Sequence, residues 1–304
     1  MHTQRPATPS AWQQSRTRRI VFTVLVILVP LWILLRNLFG LTEVALMWLP
    51  PEVLGEMLGE SDPDAGADDI AAFEAERAHY MAIGVMSWAA VLSAFAQWRR
   101  PARRVGSMQL LLAIGLGATV VYGLSGTLSE WLIEEGLLLA PIVLLAVFHP
   151  RARDLLRPAG FDVPMAIAAL VAAVPWAAYA VVNAVLQLGD ATGDPHVEPE
   201  HWATNALMGI TLAAAAAIGS SRADGTRLPA WIAVGGTLLF AVHSLAFPGA
   251  ESGLGTVWAV LAIAWAAGFA VLLVRRIVLE RGVPVLPADT PTTAEPAAAS
   301  TADR

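Results

Sequence analysis

The side chains able to do chemistry in this chain are of narrow type: 6 histidines, 25 aspartates and glutamates, 3 tyrosines, some amides and no cysteine. All 19 cationic residues of the Lys and Arg class are arginine. Without cysteine there is no disulfide, thiolate metal site or thiol nucleophile. Without lysine there is no Schiff base and no Walker-type phosphate loop. No Ser–His–Asp order, Gly-rich phosphate loop or HExxH helix occurs, so the reading is of a protein without classical catalysis. Imidazole, carboxylate, amide and phenol remain, a set suited to holding a solute or a metal ion. Tyr179, Asn183 and Gln187 follow i, i+4, i+8 and share one helix face, as do His201 and Asn205. Tyr122 stands eight residues before Glu130, and His243 eight before Glu251. These are the candidate pocket residues, with His79, His201 and His243 as candidate metal ligands. Neutral imidazoles with carboxylates suit a Zn-, Cu- or Fe-type ion, and two imidazoles suit axial ligation of a haem.

The elements that position these groups follow from composition. The 304 residues are 56% hydrophobic and only 14% charged, with a mean hydropathy of +0.59. A soluble chain carries about 25% charged residues, so this surface faces lipid. Eight stretches are long enough, at ~20 residues, to cross ~30 Å of hydrocarbon. They are 20–41, 78–98, 106–126, 131–148, 161–188, 201–219, 228–248 and 253–274. The expected fold is an all-α integral membrane protein of eight transmembrane helices. Their central thirds hold no Asp, Glu, Arg or His, which removes the midplane charge that ion-coupled pumps use. The polar groups gather toward one end of the spans.

Arginine sets the orientation. Of the 19, all but Arg36 and Arg77 fall in alternate segments, while 18 of the 25 acidic residues fall in the opposite set. By the positive-inside rule both termini are cytoplasmic. Arginine-only usage suggests a GC-rich prokaryote, and hence its cytoplasmic membrane. Basic loops such as 99–104 are accounted for by topology and lipid headgroups, with no need for nucleic acid. His149, just past the fourth stretch, reads as a cation complementing a helix C-terminus. Segments 1–19 and 283–304 read as disordered tails, 42–77 as an acidic outer loop, and 41–59 as a stretch able to lie along the membrane surface. The oligomeric state is left open, a homo-oligomer included.

The two halves resemble one another. Leu25-Val26-x-x-Val29-Pro30 recurs as Leu170-Val171-x-x-Val174-Pro175; His79-Tyr80 recurs as His201-Trp202, and the Tyr122/Glu130 pair as His243/Glu251. This predicts two repeated four-helix units, 20–149 and 150–282, related by a pseudo-twofold axis along the membrane normal, with His79 and His201 approaching that axis. Two four-span units with histidines opening spans 2 and 6, together with Glu76-x-x-His79, resemble the layout of haem A synthase. That resemblance implies axial haem ligation by outer-end histidines. Spans 4 and 8 carry no such histidine, and Tyr80 stands where that family has arginine. The function expected is an outward-facing polar pocket that binds or passes a small solute or lipid. The alternatives are a metal- or haem-binding membrane protein, and a structural or assembly subunit.

Overall fold

The computed structural model describes residues 15–50, 53, 67–124, 136–157, 159–189 and 201–282. Glu130, most of the acidic segment 42–77 and the tails 1–14 and 283–304 lie outside that set. In chain order the helices are α1 (Arg16–Arg36), α2 (Leu38–Leu46), α3 (Ala67–Phe95), α4 (Val105–Leu124), α5 (Gly136–Phe148), α6 (Ala152–Leu155), α7 (Val163–Leu188), α8 (His201–Ser220), α9 (Arg227–Ala246) and α10 (Gly255–Gly282). A 3-10 turn spans Pro101–Arg103. Among the described residues the only strand-like pairing is an isolated bridge between Phe161 and Ser221.

Seven helices, α1, α3, α4, α7, α8, α9 and α10, are long and apolar enough to cross a membrane. The expected stretch 131–148 is described from Gly136 as a 13-residue helix. At 1.5 Å per residue that part rises about 20 Å, short of a full crossing. Local chemistry sets several helix starts. Ser15 accepts the Arg18 N–H at the head of α1, and Asp162 accepts the Met165 N–H at the head of α7.

Residues 41–46 depart from the surface-lying helix expected there. The first helix breaks at Asn37, whose amide donates to the Ile33 carbonyl at 2.8 Å while its oxygen accepts from Ser87 Oγ at 2.9 Å. Helix α2 then continues against α3. A Cβ on Gly84 would run into Val44 Cγ2 and lie 3.0 Å from the Gly40 carbonyl oxygen. Glycine at both positions lets the two backbones approach closely, which draws α2 onto the bundle.

Helices α3, α4, α8 and α9 form the centre. Their most apolar windows are 67%, 61%, 72% and 56% buried, against 28%, 28% and 22% for α1, α7 and α10. α3 packs on α8, α4 on α8, and α9 on α3, with α1 and α5 flanking one side and α7 and α10 the other. Residues such as Leu170, Val174, Val257 and Val271 stand exposed on the flanking helices, as lipid-facing residues should.

The arginine-rich end is knitted together. The Gly106 N–H donates to the Asp224 carbonyl at 2.8 Å. Gly225, at φ +79°, turns tightly enough to pack on the Arg103–Arg104 backbone. Arg151 pairs with Asp154 and Asp224, which hold its guanidinium charged. Arg276 donates to the Gly219 and Ser221 carbonyls at 3.2 and 2.9 Å. His149 corrects its sequence reading as a cation. Nδ1 accepts the Arg151 N–H, Nε2 lies 3.1 Å from the Pro101 carbonyl, and burial pushes the ring down to about 4. At neutral pH it is therefore an uncharged bridge.

Candidate functional site

The site lies at the acidic end, where the first turns of α8 meet the Glu76–Tyr80 part of α3. On α3, Glu76, His79 and Tyr80 are spaced i, i+3, i+4 and so share a face. On α8, His201, Trp202 and Asn205 fall within the first two turns. The two imidazoles stack with ring centroids 5.2 Å apart and planes at 25°. His79 is fully buried and His201 is 7% exposed. Asn205 Nδ2 reaches His79 Nδ1 at 2.5 Å, so with the amide donating, the ring is the Nε2–H tautomer. Glu76 Oε2 stands 3.8 Å from His201 Nδ1. Trp202 and His79 meet edge to face at 4.8 Å, and Tyr80 meets His201 at 5.4 Å. Trp202 is itself buried against the histidine pair.

The neighbouring polar residues are committed to holding this arrangement. Tyr122 on α4 meets Thr204 Oγ1 at 3.1 Å. Gln187 on α7 accepts the Ala203 N–H at 3.1 Å, giving α8 an N-terminal cap from another helix. Asn183 donates to the Tyr179 carbonyl at 2.8 Å and accepts from Ser252 Oγ at 3.3 Å. The Tyr179 hydroxyl donates to the Ser252 carbonyl at 3.0 Å. The polar stripe of α7 thus faces protein, with Asn183 and Gln187 buried. Glu251 lies in the α9–α10 connection, where its N–H donates to the Ala75 carbonyl at 2.7 Å.

His243 belongs to a different cluster. Position 77 stands about 200° round α3 from position 79, so Arg77 points away from the histidine pair. There the Arg77 Nη1 donates to the Met47 and Leu49 carbonyls at 2.9 and 3.0 Å, and the guanidinium lies 4.4 Å over the Phe247 ring. His243 packs edge-on against Trp48 at 5.5 Å and against Phe247 at 4.8 Å, beside Arg77 and the Met47 carbonyl. Sequence reasoning left Arg77 without a role. The available signal was its standing as one of two arginines outside the basic segments.

Of the three histidines, then, His79 and His201 come together and His243 does not join them. Among the described residues no group of three or more His, Cys, Asp and Glu is arranged to hold a metal ion. The stacked imidazoles lie face to face at a spacing too small for a macrocycle between them. The site offers two imidazoles, a carboxylate and an amide for hydrogen bonding and charge, walled by aromatic rings. A scan of family models finds no match to this sequence, and searches of curated proteins and of solved structures find none either.

Proposed function

We propose that this chain is a multi-pass protein of a prokaryotic cytoplasmic membrane that presents an outward-facing polar site to a small solute. The observation carrying this reading is the stacked His79–His201 pair with Glu76 and Asn205 at its edge. Polar groups at the end of an apolar helix bundle are costly to bury without use, and this cluster joins four of them. Outward orientation rests on the arginine distribution.

The reading includes eight spans with both termini cytoplasmic, as two repeated four-helix units. Matched features support it. In each half the second and third long helices are buried and the first is exposed to lipid. Asn37 and Asn183 each donate to the carbonyl four residues back and accept from a serine hydroxyl. At the basic end, His149 lies against a carbonyl of the α3–α4 connection, and Arg276 donates to carbonyls around the α8–α9 connection.

The test is a thermal-shift screen of the purified protein against amino acids, sugars, carboxylates and ammonium compounds. One class raises Tm in a concentration-dependent way. That rise is lost in Asn205→Ala and retained in Asn183→Ala, whose side chain serves Tyr179 and Ser252. A screen in which no class raises Tm, or in which Asn205→Ala responds like wild type, overturns the proposal. Metal binding is the second reading, favoured by the approach of Glu76 to the histidine pair. It requires stoichiometric metal in the purified protein that His79→Ala removes.

A further inference from the structure

We propose that the corner between α3 and α4 binds the headgroup phosphate of an anionic phospholipid. A cleft of about 320 Å³ lies there, lined by Phe95, Ala96, Trp98, Arg99 and Arg104. Phe95 and Trp98 stack at 6.2 Å with planes at 30°, forming its apolar wall, and Trp98 is 57% exposed. Neither Arg99 nor Arg104 forms an ion pair among the described residues. Arg151, Arg157, Arg227 and Arg276 at the same end of the bundle all do, with Asp154, Asp224 or Glu280. The corner therefore carries positive charge that no described carboxylate balances.

The cleft is held in shape by the backbone beneath it. Gln97 Nε2 donates to the Ser93 and Arg104 carbonyls at 3.3 and 3.4 Å. Arg100 takes a left-handed conformation, φ 56°, and the Pro101–Arg103 turn follows. Its level suits a lipid phosphate, since α3 leaves its apolar span at Phe95 and arginines begin four residues on. Above it on α3, Trp88 and Leu92 are 43% and 40% exposed, about two turns and one turn from Ala96 respectively. This exposed stripe gives an acyl chain a surface to lie on, which a free phosphate ion would not use. A phosphodiester between the two guanidiniums, with its tails along Trp88 and Leu92, satisfies both parts of the corner.

The test uses the full chain, purified and delipidated, with native mass spectrometry and thermal stability as readouts. The probes are phosphatidylglycerol, phosphatidylcholine and glycerol phosphate. Phosphatidylglycerol binds and stabilises in preference to phosphatidylcholine. The Arg99→Gln/Arg104→Gln variant loses roughly fivefold in affinity per arginine, while Arg157→Gln binds like wild type. Trp98→Ala, which keeps both charges, weakens phosphatidylglycerol binding and keeps the wild-type Tm in phosphatidylcholine. Equal retention of the two lipids, or wild-type binding by the double glutamine variant, overturns the assignment. Protection by glycerol phosphate equal to that by phosphatidylglycerol makes the corner a free-anion site and overturns it as well.

Discussion

Two buried basic side chains show how far single residues govern this protein. Arg77 is 1% exposed and joins the end of α2 to α3 through the Met47 and Leu49 carbonyls. A cation at a helix C-terminus satisfies carbonyls that have no intrahelical donor. Arg77→Ala leaves those acceptors buried at a cost of about 1–3 kcal/mol, so its thermal midpoint falls by several degrees in a detergent melt. An unchanged midpoint would mean that the contacts are incidental. His149 gives a pH dependence whose sign is determined. Its ring titrates near 4 when folded, below the value of 6.5 for a free side chain. The unfolded chain thus takes up the proton first, and stability declines as pH drops from 6.5 toward 4. It is fully present above that window, and the decline is on the order of 1–3 kcal/mol. Stability measured from pH 8 to 4.5 falls in wild type, and His149→Asn shows a flatter profile with lower stability at pH 8. Parallel profiles would assign the acid sensitivity to other groups.

At the scale of elements, packing depends on where side chains are small. Gly84→Val forces a branched side chain into Val44 and the Gly40 carbonyl, while Gly235 has nothing within 4 Å of its Cβ position. Gly84→Val destabilises by about 1–3 kcal/mol, and Gly235→Ala is neutral or slightly stabilising, as paired melts of the two variants would register. The sequence made some of this legible. Helix positions followed from runs of apolar residues, and the Tyr179–Asn183–Gln187 face from i, i+4 spacing. The use of that face was not legible, because spacing says which residues point together and nothing of what waits opposite. The Ser252 carbonyl and the Ala203 N–H become partners only when the α9–α10 connection and α8 dock on α7. Arg77 was opaque for the same reason, since its acceptors exist only where α2 ends. The pairing of His79 with His201 could be anticipated, because each opens its span in the same way. The place of His243 could not, because Trp48 reaches it from a segment before α3.

The whole molecule is a bundle with two unlike ends. One is basic and locked by Asp224, Arg151, Arg276 and neutral His149. The other brings His79 and His201 together under aromatic walls. The seven long apolar helices explain why 56% of the chain is hydrophobic, since their flanking members expose that surface to lipid. Which end faces out decides whether the histidine site meets external solutes. The chain contains no cysteine, so single cysteines can report on this in an otherwise native background. The most direct measurement is labelling of Tyr80→Cys and Trp98→Cys in intact cells with a membrane-impermeant maleimide. The account predicts labelling at position 80 from outside, and at position 98 only after the membrane is opened. Labelling of position 98 in intact cells, with position 80 reached only from the cytoplasm, would contradict it.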